Sequence, residues 1–371
     1  MIYSVDQIRH LHLEISSLCN AACPLCPRNF NGYKHNAGYT EHNMSLAEAQ
    51  KIFPVEFVQQ LEVIVINGNF GDAVMNPDTV PIVRYFKEHN PKIHINISTN
   101  GAARDARFWK DLAASDVEVS FCIDGVDDFT HGLYRRNTMY STIMRNSATF
   151  IAAGGRANWK MIKFDHNGPF QEQAHQLSIQ RGFTNFSLIN DGRDIGPVYN
   201  DQGDLQYTIG EARIDWQPPA RIEPLLEMNF DEKFKGNQII WVKKEEIKEI
   251  HCEVAVSKSV YVSSTGDVFP CCYMGINPAE YRNNTSHGYS MEQINQIMAK
   301  NNALEHDLAT CIAWFDHIES SWNKDSFENG RLLTCNQSCG GDNQRPQFHV
   351  KEATIYYNDV NGSQTQDQAT D

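Results

Sequence analysis

The sequence predicts an α/β fold: a partial (β/α)6 TIM-like barrel followed by a small cysteine-rich α+β region. Three observations carry this expectation. Apolar strand-like runs alternate with helix-like segments about six times through the first half of the 371-residue chain. Six repeats fall short of the eight that close a barrel, so an open or partial barrel with functional groups at the strand C-termini is the natural product. The ten cysteines are clustered, three within residues 19–26, one at 122 and six between 252 and 339.

Residues 11–16 read as the first strand. Residues 45–60 read as a helix that begins at a Ser cap with Glu48 three positions on. Residues 61–67 (LEVIVIN) form a near-continuous apolar strand. Residues 78–89 form a helix with Pro81 in its first turn, where the missing N–H does no harm. Strand 92–97 and helix 104–114 follow, then strand 117–123 and helix 141–153, which ends at Gly154 and Gly155. Strand 157–164, helix 170–181 stopped by Gly182, and strand 183–189 complete the series. Residues 1–190 are therefore expected to be the barrel core. Residues 191–250, rich in Gly, Asp and Pro apart from a charged helix-like run at 243–250, read as a bridge. Residues 251–350 read as a cysteine-rich domain with little secondary-structure signal, and 351–371 as a C-terminal tail that frays from 358 on.

A hydrophobic content of 41% supports an ordinary core, and 21% charged residues argue against a mostly disordered chain. The formal net charge of −14 disfavours broad nucleic-acid binding through a basic surface. Residues 1–10 lack the apolar stretch of a secretory signal, and no apolar run reaches membrane-spanning length. A cytoplasmic setting with no membrane partner is the default expectation. In a reducing compartment, ten cysteines point to metal or catalytic work rather than disulfides.

The segment LEISSLCNAACPLCPRN places Cys19, Cys23 and Cys26 in a CxxxCxxC spacing directly after the first strand. Thiolates are the usual ligands of a [4Fe–4S] cluster. Three on one loop leave one iron open, as a catalytic metal requires. The competing reading is a zinc site completed by His12 or His35.

This spacing after the first strand of a β/α domain resembles the radical S-adenosylmethionine (radical SAM) superfamily. Three further segments add to the resemblance, which covers about residues 8–190. Residues 67–78 (NGNFGDAVMNPD) are similar to the family's GGEP turn, where backbone and an acidic side chain bind the SAM amino group. Phe70, Gly71 and Asp72 stand there, with Asp one methylene shorter than the family's Glu. Residues 98–101 (STNG) are similar to the TNG segment near the SAM ribose, which implies cofactor contacts at Ser98 and Asn100. Residues 122–125 (CIDG) resemble an SIDG element whose Ser helps hold the SAM carboxylate.

Cys122 replaces that Ser, and Ser120, on the same strand face as Cys122 and Asp124, can substitute. Cys122 reads either as a buried, inert thiol or as a hydrogen-atom donor near the radical. His131 and Arg135 fall where related enzymes show a His and an Arg. Arg135, rather than Arg136, is expected to pair with the SAM carboxylate. Lys160, His166 and Asn167 lie on or after the fifth strand, and the last two read as SAM or substrate contacts or as a capped strand end. Leu25 departs from the aromatic residue that many members place before the third cysteine.

Cys252, then thirteen residues, Gly266, four residues and Cys271 resemble the opening of a SPASM or twitch extension, written Cx9–15Gx4C. The intervening sequence reads as a β-hairpin with residues 265–267 at its tip, which brings the two cysteines together. Cys335 and Cys339 complete four ligands for one auxiliary cluster. The alternative is a four-cysteine zinc site. Cys272, next to Cys271, reads as a bystander, and Cys311 as a core residue.

The resemblance implies reductive cleavage of SAM at a [4Fe–4S] cluster and hydrogen abstraction from an organic substrate, with a second [4Fe–4S] cluster assisting electron transfer. It implies a peptide or small-molecule substrate and a reductase such as flavodoxin or ferredoxin. A non-catalytic electron carrier or zinc-stabilised binding protein is the alternative class.

Overall fold

The alternating segments fold as six parallel strands with helices between them. In this computed structural model, residues 3–32, 34–35, 39–189, 196–209, 247–276, 296, 299–326, 329–341, 353–358 and 364–368 are described. Strand β1 (His10–Leu13) is followed by a two-residue ribbon, β2 (Asn29–Phe30) with β3 (Lys34–His35). The core strands continue as β4 (Val63–Ile66), β5 (His94–Thr99), β6 (Glu118–Cys122), β7 (Arg156–Ile162) and β8 (Asn185–Ile189). The spatial order β1-β4-β5-β6-β7-β8 is parallel throughout, so the expected partial six-unit α/β barrel is what forms.

The strands alternate by face. Leu11, Leu13, Ile64, Ile66, Val119 and Phe121 are fully buried against helices such as Thr79–His89, whose Ile82, Val83 and Phe86 face inward. The opposite face is polar and equally buried, with His12, Ser98, Ser120 and Asn158 in cross-strand array. A polar inner face is what a site inside the sheet's curve needs.

The expected helix 45–60 is two helices, Leu46–Ile52 and Val55–Gln60. Pro54 has no N–H to donate and drives its predecessor out of helical geometry. The capping box at Ser45 and Glu48 forms as expected.

The later chain extends this sheet at both edges. Strand β11 (Ser259–Val262) lies parallel to β1, and β12 (Val268–Phe269) pairs antiparallel with β11. Their connecting turn has Gly266 at φ +86°, a left-handed conformation that suits glycine. Strand β13 (Ala353–Asn358) adds antiparallel to β8, and β14 (Gln364–Gln368) to β13. These residues belong to the segment 351–371 read from sequence as a C-terminal tail that frays from 358 on. They are instead a hairpin, because the open edge of β8 offers backbone groups that a partner strand satisfies.

Within the bridge, β9 (Gly196–Tyr199) and β10 (Leu205–Ile209) form an antiparallel ribbon over the cysteine loop. Residues 191–195 and 210–246 of the bridge, and 342–352, lie outside the described residues. Of the helix-like run 243–250, residues 247–250 are not helical. Ile250 bridges to Gly340, and the Lys248 N–H donates to Asn336 Oδ1 at 3.0 Å. No helix among the described residues is long and apolar enough to cross a membrane.

Candidate functional site

The loop that carries Cys19, Cys23 and Cys26 leaves the C-terminal end of β1. Tight turns shape it: Cys26 N–H donates to the Cys23 carbonyl at 3.1 Å and Asn29 N–H to the Cys26 carbonyl at 2.9 Å. Asn29 Nδ2 also donates to the Cys23 carbonyl, at 3.2 Å. Cys23 is buried and packs with Ala21, Tyr134, Ile162, Phe164 and Val198, with Cys19, Leu25 and Cys26 at the margin. Burial pushes the Cys19 thiol well up, reinforced by the nearby charges of Asp72 and Cys23. Such a thiol ionises only when a cation or cluster takes the charge.

Donors surround the thiols. Asn100 Nδ2 lies 3.7 Å and Ala21 N 3.4 Å from Cys19 Sγ. Arg135 Nη1 lies 3.9 Å from Cys23 Sγ, while its Nε donates to Asp124 Oδ2 at 2.6 Å. Arg136 goes elsewhere, to the carbonyls of Gly32 and Tyr199. Of the alternative zinc ligands, the His12 ring is committed to the Asn67 carbonyl at 2.7 Å, and the His35 side chain lies outside the described residues.

The turn at residues 70–72 lies directly against this loop. A Cβ on Gly71 would run into the Ser16 carbonyl oxygen, so glycine is the residue that admits the approach. The Phe70 ring stacks on Tyr39 at 4.8 Å, and Asp72 N–H donates to the Leu18 carbonyl at 2.8 Å. Asp72 is buried. Its carboxylate accepts from Thr99 Oγ1 at 2.7 Å, Asn100 N–H at 2.7 Å and Val74 N–H at 3.1 Å. Burial raises its pKa against the downward pull of those bonds and of Arg135. Asp72 therefore ties the 70–72 turn to the 98–101 segment.

Ser98 and Ser120 sit in register on the polar face, and Ser120 Oγ exchanges hydrogen bonds with Asn96. Cys122 ends β6 opposite Lys160, with its Sγ 3.9 Å from the Ser120 carbonyl. Asp124 is fully buried and also accepts from Ile162 N–H at 2.6 Å. The Asn167 amide is occupied by backbone, donating to the carbonyls of Ile162 at 2.8 Å and Asp124 at 3.2 Å and accepting from Phe164 N–H at 2.9 Å. His166 stacks on Phe164, and its buried Nε2 has no hydrogen-bond partner among the described residues. An unpartnered buried nitrogen at the strand end is suited to a ligand.

Sequence reasoning missed Glu14. It directly follows β1, two residues after His12, and is buried. Its Oε1 accepts from the N–H groups of Phe70 at 2.8 Å and Gly71 at 2.9 Å. The available signal was an acid between the apolar residues Leu13 and Ile15 in the segment read as the first strand.

Cys252, Cys271, Cys335 and Cys339 line one cavity with Ile250, Val254, Met274 and Ile318. Cys252 precedes the helix Glu253–Ser257, Cys271 follows β12, and the last two lie on the helix Leu333–Cys339. Burial raises all four thiols, Cys339 to about 12. Cys272 is not among the lining residues, and Cys311 is fully buried in the core. Among the described residues, no three His, Cys, Asp or Glu side chains converge as ligands of one metal ion.

No family model and no curated protein matches the chain. Solved structures do. Native anSMEcpe with bound AdoMet (S-adenosylmethionine) and Cp18Cys peptide aligns over 89% of this chain and 88% of its own, with TM-score 0.51 and 15% identity. A hexahistidine-tagged form of anSMEcpe with bound AdoMet aligns over 82% and 77%, with TM-score 0.50 and 14% identity. Streptococcus suis SuiB bound to S-adenosylmethionine aligns over 88% and 77%, with TM-score 0.48 and 13% identity. At such identities likeness bears on fold alone: the chain has the α/β barrel fold of the anSMEcpe structures.

Proposed function

We propose that the chain is a radical SAM enzyme. Cys19, Cys23 and Cys26 hold a [4Fe–4S] cluster, and a peptide or protein is the substrate. The observation that carries this reading is the convergence of the three-thiol loop with the 70–72 and 98–101 turns through Asp72 and Asn100. When bound, the cluster and SAM supply one-electron cleavage to methionine and a 5′-deoxyadenosyl radical, which takes a hydrogen atom from the substrate. The protein's own part is to bind and orient. The Phe70–Gly71 backbone and Asp72 would hold the SAM amino group, Ser98 and Asn100 would contact the ribose, and Arg135 and Ser120 would contact the carboxylate. His166 offers a buried ring nitrogen that has no hydrogen-bond partner among the described residues. Cys122, at the end of β6, is a candidate hydrogen-atom donor.

Cys252, Cys271, Cys335 and Cys339 are proposed to hold a second [4Fe–4S] cluster that assists electron transfer. Support comes from their shared cavity. A four-cysteine zinc site is the competing reading, and metal analysis of the purified protein separates the two. A cubane distributes its ligands over four irons. The peptidyl substrate is favoured because anSMEcpe with the same fold has been solved with the Cp18Cys peptide. Oxidation of a small molecule is the second reading. A flavodoxin or ferredoxin is the proposed electron source.

The test is anaerobic reconstitution with iron and sulfide, followed by SAM and dithionite, with 5′-deoxyadenosine read by mass spectrometry. The reading predicts SAM-dependent 5′-deoxyadenosine. Iron-loaded protein that neither binds nor cleaves SAM, with or without added peptides, would move the chain to the electron-carrier class.

A further inference from the structure

Strand β11 comes from the C-terminal half yet lies beside β1, with Tyr261 in register with His12. The Tyr261 ring meets the His12 ring edge-on at 5.1 Å. It also neighbours the Phe269 ring at 6.5 Å and the helix Cys272–Ile276, which begins next to Cys271. Gly275 of that helix lies so close to the Tyr261 ring that an added Cβ would collide with it. The helix therefore fixes where the ring sits. The Tyr261 hydroxyl donates to Glu14 Oε2 at 2.6 Å, and Glu14 Oε1 accepts from the N–H groups of Phe70 and Gly71. A second link runs alongside, from Asn69 Nδ2 to the Cys272 carbonyl at 3.0 Å. One hydrogen bond thus joins the start of the 272–276 helix to the turn at 69–71, and a second route runs from the packing of Gly275 on the Tyr261 ring through the Tyr261–Glu14 hydrogen bond to Phe70 and Gly71.

We propose that Tyr261 and Glu14 are positioning residues that couple the C-terminal cysteine site to the Phe70–Gly71 turn, so that filling the first strengthens SAM binding at the second. The proposal rests on the radical SAM reading above. Loading a metal group onto Cys271 fixes the backbone that carries it, because site formation and local folding are linked. Close-packed contacts pass that position on through Gly275 and Tyr261. Glu14 is buried, and its carboxylate is held by donors from both sides. Linkage makes the effect reciprocal: SAM at the N-terminal site also favours occupancy of the C-terminal one.

The experiment measures the Kd for SAM by anaerobic equilibrium dialysis on full-length reconstituted protein, with iron counted in each sample. Wild type is compared with Cys335→Ala/Cys339→Ala, with Tyr261→Phe, and with the triple variant. The coupling predicts that the double-cysteine variant binds SAM roughly tenfold more weakly than wild type. Tyr261→Phe alone shows a similar loss with full iron content, and the triple variant loses little more. Equal affinity in wild type and the double-cysteine variant overturns the coupling and leaves the radical SAM reading intact. A wild-type Kd in Tyr261→Phe overturns the part given to Tyr261, and this comparison stands even where the cysteine variant fails to fold. SAM binding in no sample removes both the reading and the coupling.

Discussion

The N-terminal and C-terminal cysteine sites differ in surroundings more than in donor type. Cys19, Cys23 and Cys26 sit on one loop at the end of a polar strand face, within reach of the Asn100 amide and the Arg135 guanidinium. Cys252, Cys271, Cys335 and Cys339 come from separate elements and line a cavity with Ile250, Val254, Met274 and Ile318. The first site has three thiols and neighbouring polar groups for a further ligand. The second has four thiols in a cavity whose wall mixes apolar side chains with Glu253, Thr334 and Ser338. Under the proposed function, donor count and surroundings suit the first site to chemistry and the second to electron transfer or architecture.

The comparison breaks most visibly at the first site. Replacing Cys19, Cys23 and Cys26 with Ala is expected to abolish SAM cleavage completely while leaving about four irons per chain at the second site. Cleavage assays and iron counts on that variant check it. Cys335→Ala/Cys339→Ala is expected to lower the iron content from about eight to about four per chain and to lower the melting temperature, because a metal site contributes folding free energy. An unchanged iron count would remove both residues from the ligand set.

Smaller effects sharpen the contrast. Arg135→Met leaves the fully buried Asp124 carboxylate without its cation. Breaking such a pair costs about 3–5 kcal/mol, measurable by denaturant titration.

His131 supplies a pH signature for the N-terminal half. Burial holds its pKa down at about 4, and its ring is engaged by the Asp124 N–H and Thr138 Oγ1. The unfolded chain takes up this proton near pH 6.5, so between about 6.5 and 4 it binds more protons than the fold. Stability from His131 is therefore complete above about pH 6.5 and falls as pH drops toward 4, by up to about 3 kcal/mol. Denaturation midpoints from pH 7 to 4 should show a shallower decline in His131→Asn than in wild type.

Much of the fold was legible because parallel strands are apolar runs of fixed length punctuated by helix caps. The Ser45 cap was readable, and the break at Pro54 follows from proline's missing N–H. What the pattern hides is partnership between distant segments. Nothing in SVYV at 259–262 says that it will lie beside β1, and nothing in 353–368 says that it will cover the edge of β8. Edge pairing is backbone chemistry with little side-chain signature.

The candidate site was legible through its cysteines and Gly-rich turns, whose spacing is local. The supporting shell was not. Glu14 looks in sequence like a lone acid in a strand, and its bonds to Phe70, Gly71 and Tyr261 arise only when three strands meet.

The most direct measurement is the electron paramagnetic resonance spectrum of the dithionite-reduced protein with and without SAM, taken on two variants. In Cys335→Ala/Cys339→Ala, which retains the N-terminal site, the cluster signal should change when SAM is added. In the Cys19, Cys23 and Cys26 to Ala variant, which retains the C-terminal site, the signal should stay as it was. A SAM-dependent change in the second variant and none in the first would contradict the assignment of the open, reactive site to the N-terminal loop.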